Sequence, residues 1–443
     1  MRLGTSRRGA LAVAALATVA IALSSCSAGS LGSSDDQSAG GKTQITFLTN
    51  NDPNNVKTAN AMIKAFETDN ADIDVKLDTR PGGGEGDNLV KTRLSTGDMA
   101  DVFEYNSGSL FQAISPEKNL TSVSDASWAG DLDDTFKQVV TAGGNLYGAP
   151  WGGATGGGVL YNTKVYTKLG LKVPTTWDEF MANNAKIKAA GITPVEQTFG
   201  DTWTSQIFVL ADYHNVATAV PSFADDYTGN KAKYATTPAA QAGFQHLEDV
   251  NKAGYLNKDF ASAKFNDGLV AVASGKAAHY PMITFAVPAM FGVAPKNVND
   301  VGFFALPGTD ATKAGVTLWE PGGIYIPKTT ADAKLDAAKK FQAFAASSKA
   351  CDVQAKVAPV GGPFPVKSCS LPTDVALAVK DLTAYVHKGA VTPALEFLSP
   401  IKGPALEQIT VEVGSGIRSA SAGAALYDKD VKKQAQQLGL EGW

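Results

Sequence analysis

Residues 44 to 79 constrain this chain more than any other stretch. QITFLTN (44–50) is a β-branched and aromatic run, and Val56, Ala59, Met62, Ile63 and Phe66 then recur at helical spacing. IDVKLDT (73–79) alternates Ile73, Val75 and Leu77 at period two. A strand, a helix and a second strand joined so closely make a βαβ unit, which implies a parallel pair. DVFEY (101–105) reads as a further buried strand. PTTWDEF (174–180) carries a capping box, with Thr176 as N-cap and Glu179 three residues on, followed by the apolar stripe Trp177, Phe180 and Met181. GGIYIPK (322–328) is another strand, running into a helix with Leu335, Ala338, Phe341 and Phe344 on one side. Strands alternating with helices over the whole body predict the α/β class. A body of about 400 residues is too large for one core and predicts two lobes.

The N-terminus predicts the compartment. Arg2, Arg7 and Arg8 precede an apolar run from Ala10 to Leu23 and then Leu23-Ser24-Ser25-Cys26. This is the layout of an export signal, with an apolar core short of the ~20 residues of a membrane span. Its ending resembles a bacterial lipobox, so 1–25 is expected to be a lipoprotein signal peptide and Cys26 the lipidated (palmitate-bearing) mature terminus. Residues 26–43, rich in Ser, Gly, Ala and Asp, are expected to be a flexible tether. The body is then anchored to the cell membrane from outside, without a span of its own.

The chain holds 39 basic residues, three of them before Cys26, against 43 acidic ones. That balance argues against nucleic acid or an anionic surface as partner. Cys351 and Cys369 remain in an oxidising compartment and read as a disulfide, with two buried thiols as the alternative. Neither has a CxxC partner and the four histidines lack ligand spacing, so no metal and no cofactor is expected.

GAPWGGATGGGVLYN (148–162) fits neither the phosphate-loop pattern nor G-x-G-x-x-G. Strand-like apolar residues lie against its glycines, which argues against a free linker. It reads as a crossing between lobes, with Trp151 facing the cleft or, alternatively, the core.

The segment 145–180 resembles one found in the solute-binding proteins of bacterial sugar ABC importers, the family-1, maltose-binding-protein-like group. Tyr147, Gly148, Pro150, Tyr161, Asn162, Gly170, Pro174, Thr176, Trp177, Glu179 and Phe180 match its pattern in order. ASGKAAHYPM (273–282) and VGFFALPG followed by EPGGIYIPK are similar to two further elements. His279-Tyr280-Pro281-Met282 departs from the usual apolar–Gly–Trp arrangement. The resemblance implies a two-lobed, type II periplasmic-binding-protein fold with a ligand cleft between the lobes. It places 44–155 plus 321–385 in lobe 1 and 156–320 plus 386–443 in lobe 2. It further implies a monomer that closes on an oligosaccharide, a di- or trisaccharide of raffinose type, and hands it to the permease subunits of an ABC importer.

A sugar site needs aromatic platforms and planar donors and acceptors. Asn51 and Asp52 follow the first strand, at the edge where α/β clefts take ligands. Glu104, Tyr105 and Asn106 end another, and Tyr105 aligns with a stacking position of the family. Arg80 and Glu85 bracket PGGGEGD, read mainly as a surface loop. Trp203 lies where relatives supply an aromatic. Trp319 and Glu320 precede the second crossing, and Gly322 and Gly323 permit close approach there. Phe364, Glu396 and Phe397 complete the candidates. Two rivals remain open. One is an exported carbohydrate-active enzyme, for which hydrolysis requires two carboxylates about 5 Å or 6.5–9.5 Å apart. The other is the same fold holding a peptide, polyamine or metal chelate.

Overall fold

The computed structural model describes residues 41–443; the expected export signal, Cys26 and nearly all of the expected tether lie outside the described residues. The βαβ unit forms as expected: Thr43–Asn50 pairs in parallel with Ile73–Arg80, Thr43 opposite Ile73, across helix Pro53–Asp69. That helix buries Ala59, Met62, Ile63 and Phe66. Its N-cap is Asp52, whose carboxylate accepts the backbone N–H of Asn54 (2.9 Å) and of Asn55 (3.2 Å). Asp52→Ala is therefore expected to cost about 1 kcal/mol of stability in a urea titration; an unchanged midpoint would remove the cap from its role.

Two sheets organise the chain. The first runs Ile73–Arg80, Thr43–Asn50, Val102–Tyr105, Gly322–Tyr325, Ala149–Trp151. Gly322–Tyr325 is antiparallel to both of its neighbours and arrives from far down the chain. In the second sheet, Thr155–Asn162 pairs along one side with Ala277–Ile283. Along its other side it meets Val316–Trp319 at its start and Val301–Ala305 farther on. Val391–Pro393 and Thr193–Val195 flank this sheet. The glycines of 148–162 thus divide. Gly156, Gly157 and Gly158 belong to a buried strand, where a Cβ on Gly157 would lie 2.5 Å from the Trp319 ring. Only 152–154 make the crossing, and Gly152 has φ +102, a torsion that side chains disfavour.

Each sheet has its own apolar core. Phe47, Phe66, Phe103, Phe111, Tyr325 and Phe341 belong to one, Trp177, Phe180, Phe208, Phe244, Phe304 and Leu406 to the other. The capping box forms on helix Trp177–Ala189, with Glu179 N–H donating to Thr176 Oγ1 and Thr176 N–H to Glu179 Oε2, both 3.3 Å. One expected boundary moves. Helix Leu377–His387, placed with the first lobe from sequence, buries Ala378, Val379 and Leu382 in the second core. Its apolar stripe fits either lobe by pattern alone, and its packing against the strand Val301–Ala305 decides the matter. Cys351 and Cys369 are bonded, with Cα atoms 6.0 Å apart. No helix among the described residues is long and apolar enough to cross a membrane.

Candidate functional site

A cavity of about 500 Å³ lies where the two cores meet. Asn106, Ser107, Ser109 and Leu110, just after the strand Val102–Tyr105, line it from the first lobe. Glu396, Phe397, Pro400, Lys402 and Gln434 line it from the second, and Trp319, Glu320 and Gly322 from the crossing between the sheets. Of the residues singled out from sequence, the structure gathers Asn106, Trp319, Glu320, Gly322, Glu396 and Phe397 here.

Trp319 ends a strand of the second sheet and is half-buried. Its indole Nε1–H donates to Glu396 Oε1 at 2.5 Å, and Lys402 Nζ donates to Glu396 Oε2 at 2.8 Å. An aromatic edge, a carboxylate and an ammonium are thereby held in a row on one wall. Glu320 is 6 % exposed, and neither of its oxygens has a hydrogen-bond partner among the described residues. Burial pushes its carboxyl up to about 7; the Thr135 side chain opposes this in part and the nearby Asp133 adds to it. Ser107 Oγ–H is already committed to the Pro321 carbonyl at 2.9 Å. The cavity lining combines apolar Trp319, Leu110, Phe397 and Pro400 with polar Asn106, Glu396, Lys402 and Gln434. This is the mixture that a polyhydroxylated molecule with apolar C–H faces requires.

Other candidates are placed elsewhere. Glu104 is buried and accepts from Arg80 Nη2 at 3.3 Å, which commits both side chains to each other. Burial raises the Glu104 carboxyl, opposed by the guanidinium. Tyr105 is fully buried with Arg80 5.6 Å from its ring centre, which leaves no open face for stacking. Trp151 packs edge-on against Phe47, ring centres 5.3 Å apart, inside the first core. Gly323 lies against the Tyr325 ring, where a Cβ would come within 2.4 Å. Phe364 is buried in the first core. Asn51 and Asp52 are exposed at the end of the first strand, away from the cavity's lining. Trp203 is half-buried in an aromatic group with Phe265 (5.3 Å) and Phe285 (5.8 Å), and Phe285 is exposed.

Sequence reading missed Ser107, Ser109, Leu110, Pro400, Lys402 and Gln434. Lys402 had a local signal, since it stands in the proline-flanked loop SPIKGP close after Glu396. Gln434 had none, because only the packing of helix Ala420–Gln437 brings it to the cavity. His279, in the stretch that departs from the family pattern, is fully buried between Tyr166 Oη (2.6 Å) and Asn184 Oδ1 (2.9 Å).

Residues 51–350 match the family model described as bacterial extracellular solute-binding protein. The chain is 28 % identical over 301 residues to the multiple sugar-binding protein of Streptococcus mutans, covering 66 % of this chain and 69 % of that one. Over 243 residues it is 24 % identical to the melibiose/raffinose/stachyose-binding protein of Bacillus subtilis, covering 54 % and 55 % of the two. Among solved structures, a chitin oligosaccharide binding protein shares the fold at TM-score 0.71 and 22 % identity, over 90 % of this chain and 100 % of that one. RafE in complex with raffinose does so at TM-score 0.69 and 20 % identity, again over 90 % and 100 %.

Proposed function

Because this chain belongs to the bacterial extracellular solute-binding protein family, we propose that it captures a di- or trisaccharide, of raffinose type, between its lobes and delivers it unchanged to the permease of an ABC importer. The observation that carries this reading is the cavity shared by both lobes and the crossing, with Trp319 held against Glu396 on its wall. The sugar-binding names of the two relatives point the same way. Ring stacking supplies apolar burial, and the carboxylates, amides and ammonium take the hydroxyls. Closure of the lobes about the crossings completes the contacts, a two-state hinge rearrangement. The chain acts as a monomer, with lipid on Cys26 holding it at the outer face of the cell membrane.

A thermal-shift screen of residues 42–443 with raffinose, melibiose, maltose, cellobiose and xylobiose tests the reading. A cognate sugar at 100 times its dissociation constant adds about 2.7 kcal/mol of stability. In the same assay Trp319→Ala is expected to weaken binding by about 2 kcal/mol, roughly thirtyfold, while the fold persists. A flat response to every sugar, with a shift on adding a peptide or polyamine, would keep the fold and overturn the ligand.

A further inference from the structure

Between Cys351 and Cys369, 18 positions apart, the chain makes an excursion tied down at both ends. Cys351 is buried in the first core, on helix Ser348–Val357. On the return, Phe364 and Val366 re-enter the same core, Val366 bridges Leu132, and Lys367 N–H donates to the Asp131 carbonyl at 2.7 Å. The tip, residues 358–363, leaves that lobe. Val360 packs against both cores. Ala154 N–H, in the first crossing, donates to the Pro363 carbonyl at 2.7 Å. A Cβ on Gly362 would lie 1.8 Å from the Ala154 carbonyl oxygen, and one on Gly361 3.1 Å from the Thr284 carbonyl oxygen in the second lobe. Backbone lies on backbone here, so the tip cannot stay still if the crossing moves.

We propose that the loop closed by the Cys351–Cys369 bond is a strap, anchored on the first lobe, whose tip bears on the interlobe crossing and limits how far the lobes swing apart. Lobe motion requires torsion changes in residues 152–154, and Ala154 is hydrogen-bonded to the strap. A cross-link removes conformations from the segment it closes, which keeps the tip seated on its partner. With the bond open, the stretch after Val357 is held only by its own contacts and lifts from the crossing. The bond itself thus acts on the hinge without touching the cavity.

The test is hydrogen exchange on residues 42–443 with no solute present, so its result is independent of which molecule the cavity takes. In the double variant Cys351→Ala/Cys369→Ala, the amides of residues 154–156 are expected to exchange at least tenfold faster. Those of Val159 and Leu160, deeper in the same strand, should keep their wild-type rates. Gly362→Ala leaves the bond intact but forces the tip off the Ala154 carbonyl, and should reproduce the local effect. If the double variant does not fold, Gly362→Ala decides alone. Wild-type exchange at 154–156, or acceleration spread equally through Val159 and Leu160, would overturn the strap and leave a bond that merely stabilises the lobe.

Discussion

Trp151→Ala is expected to lower the folding free energy by about 3–5 kcal/mol, the range for removing a large buried aromatic. The indole is 6 % exposed, edge-on to Phe47, and Phe47 in turn lies 5.1 Å from Phe341 on the helix behind the sheet. Truncation therefore opens a hole between the strand Ala149–Trp151, the first strand and helix Asp332–Ala345. The neighbours are sheet strands and a packed helix, which cannot collapse into the gap. Trp319→Ala makes the contrast, since that ring is half-exposed at the cavity and its loss should act on solute binding. Urea denaturation of both variants, with sugar titration alongside, separates the roles. A Trp151→Ala protein that unfolds at the wild-type midpoint but no longer takes up sugar would return Trp151 to the binding wall.

The second large effect concerns pH. Asp212 is completely buried, and burial pushes its carboxyl up to about 8 from its usual 3.8; the Asn215 amide, donating to Oδ1 at 2.8 Å, offsets this only in part. Its other oxygen has no partner among the described residues. An acid whose folded pKa lies above its unfolded value holds more protons when folded. Its full contribution is present below pH 4 and is lost as pH rises toward 8. The loss across that window is on the order of 5 kcal/mol from this group. Burial lifts Glu196, to about 8, and Glu320, to about 7, in the same direction. Asp212→Asn, neutral throughout and of the same shape, should flatten the fall and be the more stable protein at pH 8. Melting curves of the two proteins at pH 5 and pH 8 read this directly. Parallel pH dependence in both would mean that Asp212 stays neutral or is hydrated across the whole range.

Local physics made much of the fold readable. The parallel pair, the capping box at Thr176 and Glu179, and the strand Gly322–Tyr325 depend on residues within a few positions of one another, where periodicity and hydrogen-bond chemistry act. The direction of a side chain at the end of a strand does not. Trp151 lies opposite Gly322 in the sheet, and Tyr105 opposite Gly323. The two rings therefore lie on opposite faces of the sheet, and both are buried in the first core, although either sequence context suits a cleft wall. Glu104 reads as an available carboxylate until Arg80 is brought beneath it by the neighbouring strands. The residues that did reach the cavity, Asn106, Trp319, Glu320, Gly322, Glu396 and Phe397, stand at strand ends, in a crossing or on a single helical turn. Lys402 and Gln434 join them through the packing of the C-terminal region, a long-range event with little local trace.

The strand Gly322–Tyr325 also sets an order on assembly. It occupies an interior place in the first sheet, between Val102–Tyr105 and Ala149–Trp151. Until residue 325 has emerged during synthesis, that sheet has a gap and Val102–Tyr105 presents an unpaired edge. Pairing across so long a separation is slow, and an open edge invites association with other chains. Neither half of the molecule is one continuous stretch of chain. A fragment ending at residue 155 would carry most of the first lobe's sequence and still lack the strand that joins its sheet.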